Sequence, residues 1–139
     1  MSSPDWSLHP QLAHDTVPLG DLALSRVLAI NDANYPWLVL VPRRPDVVEI
    51  IELDEPARAE LMAEIARVCA ALKAHTRCDK LNVAAIGNVV PQLHVHVVAR
   101  RKDDTAWPRP VWGAAPARAY ATTELSAFVA ALRRALGLA

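Results

Sequence analysis

The chain has 139 residues, 53% of them apolar and 22% charged, a globular composition with enough material for one buried core. Fifteen Lys and Arg balance fifteen Asp and Glu, and a net charge of zero argues against a protein that coats nucleic acid. The start, Met1 to Trp6, lacks the basic residues and apolar run of a signal peptide, and no apolar stretch reaches the roughly 20 residues of a membrane helix.

Residues 1–20 are polar and interrupted by Pro4, Pro10 and Pro18, with a short helix expected around Pro10 to His14. Leu22 to Ile30 reads as a strand, with Leu22, Leu24, Leu28 and Ile30 on one parity. Asn31 to Pro36 is a turn by composition. The apolar run Trp37 to Val41 ends at Pro42 and predicts a second strand, paired with the first as a hairpin. Arg43 and Arg44 after it are expected at the surface.

Asp54-Glu55-Pro56 starts a helix, combining an N-cap, an acidic first turn and a proline where no amide donor is missed. Leu61, Ile65, Val68, Cys69 and Leu72 then recur at helical spacing, to about His75. Glu60, Glu64 and Arg67 read as its solvent face. Cys69 reads as core and Cys78 as open to solvent; with no disulfide framework, a reducing cytoplasm is expected.

Leu81 to Ile86 predicts a strand, Gly87-Asn88 a bend, and Gln92 to Val98 another strand. Asp103 to Pro116, rich in Pro and Trp, should be ordered but irregular. A last helix starts near Thr122 with an apolar stripe of Leu125, Phe128, Val129, Leu132 and Leu136. The order predicts one α+β domain over residues 1–139 with an antiparallel sheet, a long helix and a C-terminal helix. Residues 1–20 and 113–139 are read as extensions.

In Gln92-Leu93-His94-Val95-His96-Val97-Val98, period two places Gln92, His94 and His96 on one face and Leu93, Val95 and Val97 toward a core. Neutral imidazole is a good nucleophile near neutral pH. An attacking ring nitrogen needs its partner nitrogen fixed as a donor, for instance by the carbonyl two residues back. Spacing alone leaves catalysis, a His-x-His metal site and simple packing all open; a metal would need a further ligand, and His9, His14 and His75 offer poor candidates.

The wider string Asn88 to Arg100 resembles the histidine-triad (HIT) signature. Leu28 to Asn31 and Tyr35 to Pro42 resemble the family's early hairpin, and the likeness runs over about residues 20–112. The resemblance implies the HIT-like fold, a homodimer, no cofactor, and hydrolysis or nucleotidyl transfer at the α-phosphate of a small nucleotide conjugate through a nucleotidyl-histidine intermediate. It implies His94 as nucleophile, His96 as a phosphate and leaving-group contact, Asn31 at the ribose and Asn88 at the phosphate. Asn82, near a position where many members carry Asn, and Gln92, at the first triad position, are read as further substrate-binding residues.

Two departures stand out. Gln92 replaces the first triad histidine, which keeps hydrogen bonding but not a proton, and Trp37 stands where many members carry a further histidine. The alternatives are a nucleotide-binding module with little turnover and a His-based metal site. Trp107 to Gly113 is expected to pack, though it could border the leaving-group side. Arg100 to Lys102 reads as a solvated strand end rather than a nucleic-acid contact, since Asp103-Asp104 follows directly.

Overall fold

A computed structural model describes residues 5–138, so Pro4 lies outside the described residues. In chain order it contains helix α1 (Pro10–Asp15), strands β1 (Thr16–Asp21), β2 (Ser25–Ile30) and β3 (Trp37–Pro42), and a short 3-10 turn (Ile50–Glu52). Helix α2 (Glu55–Thr76), strands β4 (Lys80–Ala84) and β5 (Val95–Arg100), and helix α3 (Thr122–Ala135) follow. The five strands form one sheet ordered β1-β2-β3-β5-β4, with every neighbouring pair antiparallel. This is the expected α+β arrangement, and β2 and β3 pair as the predicted hairpin.

Strand β1 was not expected, because residues 1–20 read as polar and interrupted by prolines, Pro18 among them. It lies at the sheet edge, where a missing amide costs no ladder bond, and its register against β2 shifts between Pro18 and Gly20. Gly20 sits at φ 147°, a conformation that favours glycine.

The parity expected for Leu22 to Ile30 does not hold. The strand begins only at Ser25, because the Glu64 carboxylate accepts the amides of Leu24 and Ser25 at 2.7 and 3.0 Å. Both faces of β2 are then buried. Val27 and Ala29 join Leu38, Leu40, Val97, Val68, Leu72, Phe128 and Leu132 on the helix-covered face. Leu28 joins Tyr35, Trp37, Val39 and Val98 on the other, covered by Leu12, Val90, Ala106 and Val111 from α1 and the irregular segments.

Helix α2 starts as predicted: the Asp54 carboxylate accepts the Ala57 amide at 2.9 Å. Glu64, however, is fully buried rather than solvent-facing. It occupies the inward stripe of Leu61, Val68 and Leu72, where a carboxylate is tolerated because it closes two backbone amides. Arg67 turns to the Leu136 carbonyl instead of Glu64. Cys78 is buried, against expectation, whereas Cys69 is half-buried and packs against the core as expected. Arg43 is also buried, donating to the Leu22 and Ala23 carbonyls beside Asp21.

Candidate active site

Strand β5 lies between β3 and β4, so both its edges are hydrogen-bonded. Val95, Val97 and Ala99 pack on the helix side, which directs His96, Val98 and Arg100 to the opposite face. The regular strand begins at Val95 rather than Gln92, yet His94 keeps the same side as His96. Their ring centroids lie 4.8 Å apart, edge to face.

The two rings are held in opposite ways. His94 Nδ1 lies 2.7 Å from the Gln92 carbonyl oxygen, which can only accept, so Nδ1 carries a proton and, in the neutral ring, Nε2 is the nitrogen with the lone pair. His96 Nδ1 lies 3.0 Å from the Trp37 indole nitrogen, which can only donate, so Nδ1 carries the lone pair and Nε2 the proton. Burial, and then the neighbouring His94, push His96 down to about 4, so it is neutral at physiological pH. Trp37 and Trp112 flank the His96 ring at centroid distances of 5.7 and 5.1 Å.

Both histidines line a cavity of about 840 Å³, within the range of small-molecule sites. Its floor is Trp37, His94 and His96, with Trp112 beside them. One wall is the 86–90 loop, another the end of β2 with Asn31 and Asp32, and a third is α1 through Gln11, His14 and Asp15. Among the described residues neither Nε2 atom has a partner, and neither is among the buried unpaired atoms. Both therefore open toward this space.

Of the residues singled out in the sequence, the cavity brings together His94, His96, Asn31 and Asn88. Asn31 Oδ1 accepts the Tyr120 amide at 2.9 Å, which orients the side chain. Asn82 and Gln92 lie elsewhere. Asn82 Oδ1 accepts from Arg100 at 2.9 Å. The Gln92 amide grips the N-terminal segment, accepting from the His9 amide and donating to the Ser7 carbonyl, each at 2.9 Å. A glutamine can do both at once, which ties the segment leading into α1 to the stretch that carries the two histidines.

Arg100, expected as a solvated strand end, is fully buried. It forms a two-pronged ion pair with Asp104 at 2.7 and 3.0 Å and lies over the Tyr35 and Trp107 rings. Burial raises the Asp104 carboxyl, but the Arg100 hydrogen bond, the Arg101 and Trp107 amides and the Arg100 charge outweigh it and hold it below the usual range. The Trp107 to Gly113 segment thus divides: Trp107 packs on Arg100, whereas Trp112 lines the cavity.

Sequence reasoning missed Asp32, Gln11, His14 and Asp15. Asp32 was absorbed into a turn by its composition, and it does cap that turn, its Oδ1 accepting the Asn34 and Arg118 amides. Nothing in the sequence flags the α1 residues, whose place depends on the Gln92 grip. No group of three His, Cys, Asp or Glu side chains able to hold a metal ion comes together among the described residues. No helix among them is long and apolar enough to cross a membrane.

The chain matches the HIT domain family over residues 13–103. Three solved structures, each described as a histidine triad protein, superpose along nearly the whole chain. The one from Bradyrhizobium japonicum is 63% identical, with TM-score 0.94, covering 96% of this chain and 99% of that one. Those from Sinorhizobium meliloti and Marinobacter aquaeolei are 42% and 41% identical, both with TM-score 0.92. They cover 95% and 96% of this chain and 98% of their own. No curated protein matches.

Proposed function

The chain belongs to the histidine-triad family, and on that premise we propose that it hydrolyses a nucleotide conjugate, or transfers its nucleotidyl group, through a nucleotidyl-His94 intermediate. The observation that carries this reading is the Gln92 carbonyl 2.7 Å from His94 Nδ1, which leaves the Nε2 lone pair facing the cavity. In the first step His94 Nε2 attacks the α-phosphorus in line, and the bond to the leaving group breaks. In the second, water or another acceptor attacks the phosphorus and releases its proton to solvent, and the P–N bond breaks with its electron pair returning to Nε2, restoring the neutral ring.

The His96 Nε2–H, the Asn88 amide and backbone amides near Gly87 are the donors for the phosphate oxygens. Asn31, oriented by Tyr120, contacts the ribose. Gln92 and Asn82 act as supports rather than as substrate contacts, because their side chains are engaged elsewhere. The reading includes a cytoplasmic homodimer. Exposed Ile51, Met62 and Val89, and the cavity of about 220 Å³ that Val48, Ile50, Ile51 and Ile86 line beside His94, support the homodimer as apolar surface that a second copy could cover.

The test is intact-mass analysis of protein mixed with dinucleoside polyphosphates and nucleoside phosphoramidates, with peptide mapping of any adduct. We expect one nucleotidyl group on His94, and turnover in His94→Ala lowered by roughly 10⁴-fold or more. Turnover that survives in His94→Ala would overturn the mechanism. Tight nucleotide binding with neither adduct nor turnover would identify a binding module instead.

A further inference from the structure

The indole N–H of Trp37 faces His96 Nδ1 at 3.0 Å, and this contact constrains more than ring orientation. We propose that Trp37 is a positioning residue that fixes His96 as a neutral Nε2–H donor, and thereby restricts the site to leaving groups that depart as anions without taking a proton. The proposal rests on the nucleotidyl-His94 reading and concerns the same site.

The argument is one of donor and acceptor inventory. An imidazole is an effective proton donor to a leaving amine from its imidazolium form, in which both ring nitrogens carry hydrogen, because the N–H of the neutral ring is a far weaker acid. On His96 that form would set an Nδ1–H against the indole N–H, two donors 3.0 Å apart with no acceptor between them. Trp37 is itself buried and edge-on to Tyr35 and Trp112, so it cannot turn aside without disturbing both contacts.

The surroundings offer no compensation. Across the sheet His96 is paired with Val39 on β3 and Ala84 on β4, and Trp112 covers it from the segment before α3. The titratable group in ring contact with it is His94, whose cationic form repels a second cation. Asp15, Asp32 and His14 line the same cavity, but none has a hydrogen bond to His96. The depressed basicity of His96 follows from this environment.

The chemistry then divides by leaving group. When His94 Nε2 displaces a phosphate or polyphosphate, the P–O bond breaks and its electron pair leaves on an oxygen that is a stable anion at neutral pH. No proton is required, and the Nε2–H of His96 can stabilise the departing oxygen as a hydrogen-bond donor. When the leaving group is an amine, the P–N electron pair must be met by a proton, which this ring cannot supply. A positioned general acid contributes roughly 10²–10⁴-fold to such a step.

Two measurements test the proposal. Histidine ¹⁵N NMR on the full chain should show His96 as the Nε2–H tautomer, with no titration between pH 5 and 8. In parallel, kcat/KM is compared for an adenosine phosphoanhydride and an adenosine phosphoramidate sharing the same nucleotidyl group. The wild type should favour the anhydride by roughly 100-fold or more. Trp37→Phe, which keeps the ring and removes the N–H, should narrow that preference by roughly tenfold, the worth of one hydrogen bond.

A His96 that is protonated at Nδ1 or titrates near its ordinary value overturns the proposal. So do equal rates on both substrates, or a preference unchanged in a folded Trp37→Phe. If neither substrate reacts and no His94 adduct forms, it is the nucleotidyl-His94 reading that fails. The tautomer measurement still decides what Trp37 does to His96.

Discussion

The two ends of strand β5 carry polar side chains on the same face, and they are finished differently. At its C-terminal end, Arg100 is enclosed by Asp104, Asn82, Tyr35 and Trp107, with every nitrogen of its guanidinium bonded. At the start, His94 and His96 each use one ring nitrogen internally and leave the other open to a cavity. Both sets are buried to similar degrees, so burial does not separate structure from chemistry. Completeness of bonding does: a closed network holds the strand, and an open one is available to a ligand.

The contrast is broken most directly at Arg100. Arg100→Met leaves the Asp104 carboxylate with backbone amides but no countercharge and should cost about 3–5 kcal/mol, whereas His94→Ala should leave stability within about 1 kcal/mol. The check is urea denaturation of both variants. The double variant Arg100→Met/Asp104→Leu should recover part of the loss, because it removes the uncompensated charge. Equal destabilisation by Arg100→Met and His94→Ala would erase the distinction.

A smaller effect sharpens the other end. The folded protein holds His96 near 4, against an ordinary value of 6.5. Between those values the unfolded chain takes up a proton that the folded ring refuses. This contribution is therefore complete above about pH 6.5, is lost as pH falls toward 4 and is constant below, with an amplitude of at most about 3 kcal/mol. Denaturation midpoints at pH 7 and 4.5 should show the drop. His96→Gln, which keeps an acceptor for the Trp37 indole, should reduce it, and an unchanged drop would place its origin elsewhere.

The smallest effect concerns Gln92. Gln92→Ala removes two backbone-directed hydrogen bonds and should cost about 1–2 kcal/mol, with faster proteolysis of the segment before α1. The carbonyl that holds His94 remains, so adduct formation at His94 should persist. Loss of the adduct in a folded variant would give the Gln92 side chain a direct part in the chemistry.

Much of this molecule was legible along the chain because local physics writes it there. The cap at Asp54, the helical spacing through Leu72 and the alternation around His94 and His96 each follow from one element's own period. The pair of histidines on one face, and the carbonyl two residues back as anchor, need only strand geometry. The α+β order of elements follows from these local periods taken together, and the resemblance to the histidine-triad signature rests on the string Asn88 to Arg100 itself.

What the chain could not reveal depends on neighbours distant in sequence. Glu64 and Glu60 look alike in the helix pattern, but only Glu64 meets the free amides at Leu24 and Ser25, 40 and 39 residues away. Arg100 and Arg101 are adjacent, and only the first finds Asn82 and the Tyr35 and Trp107 rings. Gln92 was read as facing a substrate and instead faces Ser7 and His9. The sequence by itself determined which residues could do chemistry and on which side of a strand they stand. Tertiary structure alone decided which polar groups are closed and which stay open, because that depends on whether a partner from elsewhere in the chain arrives within hydrogen-bonding distance.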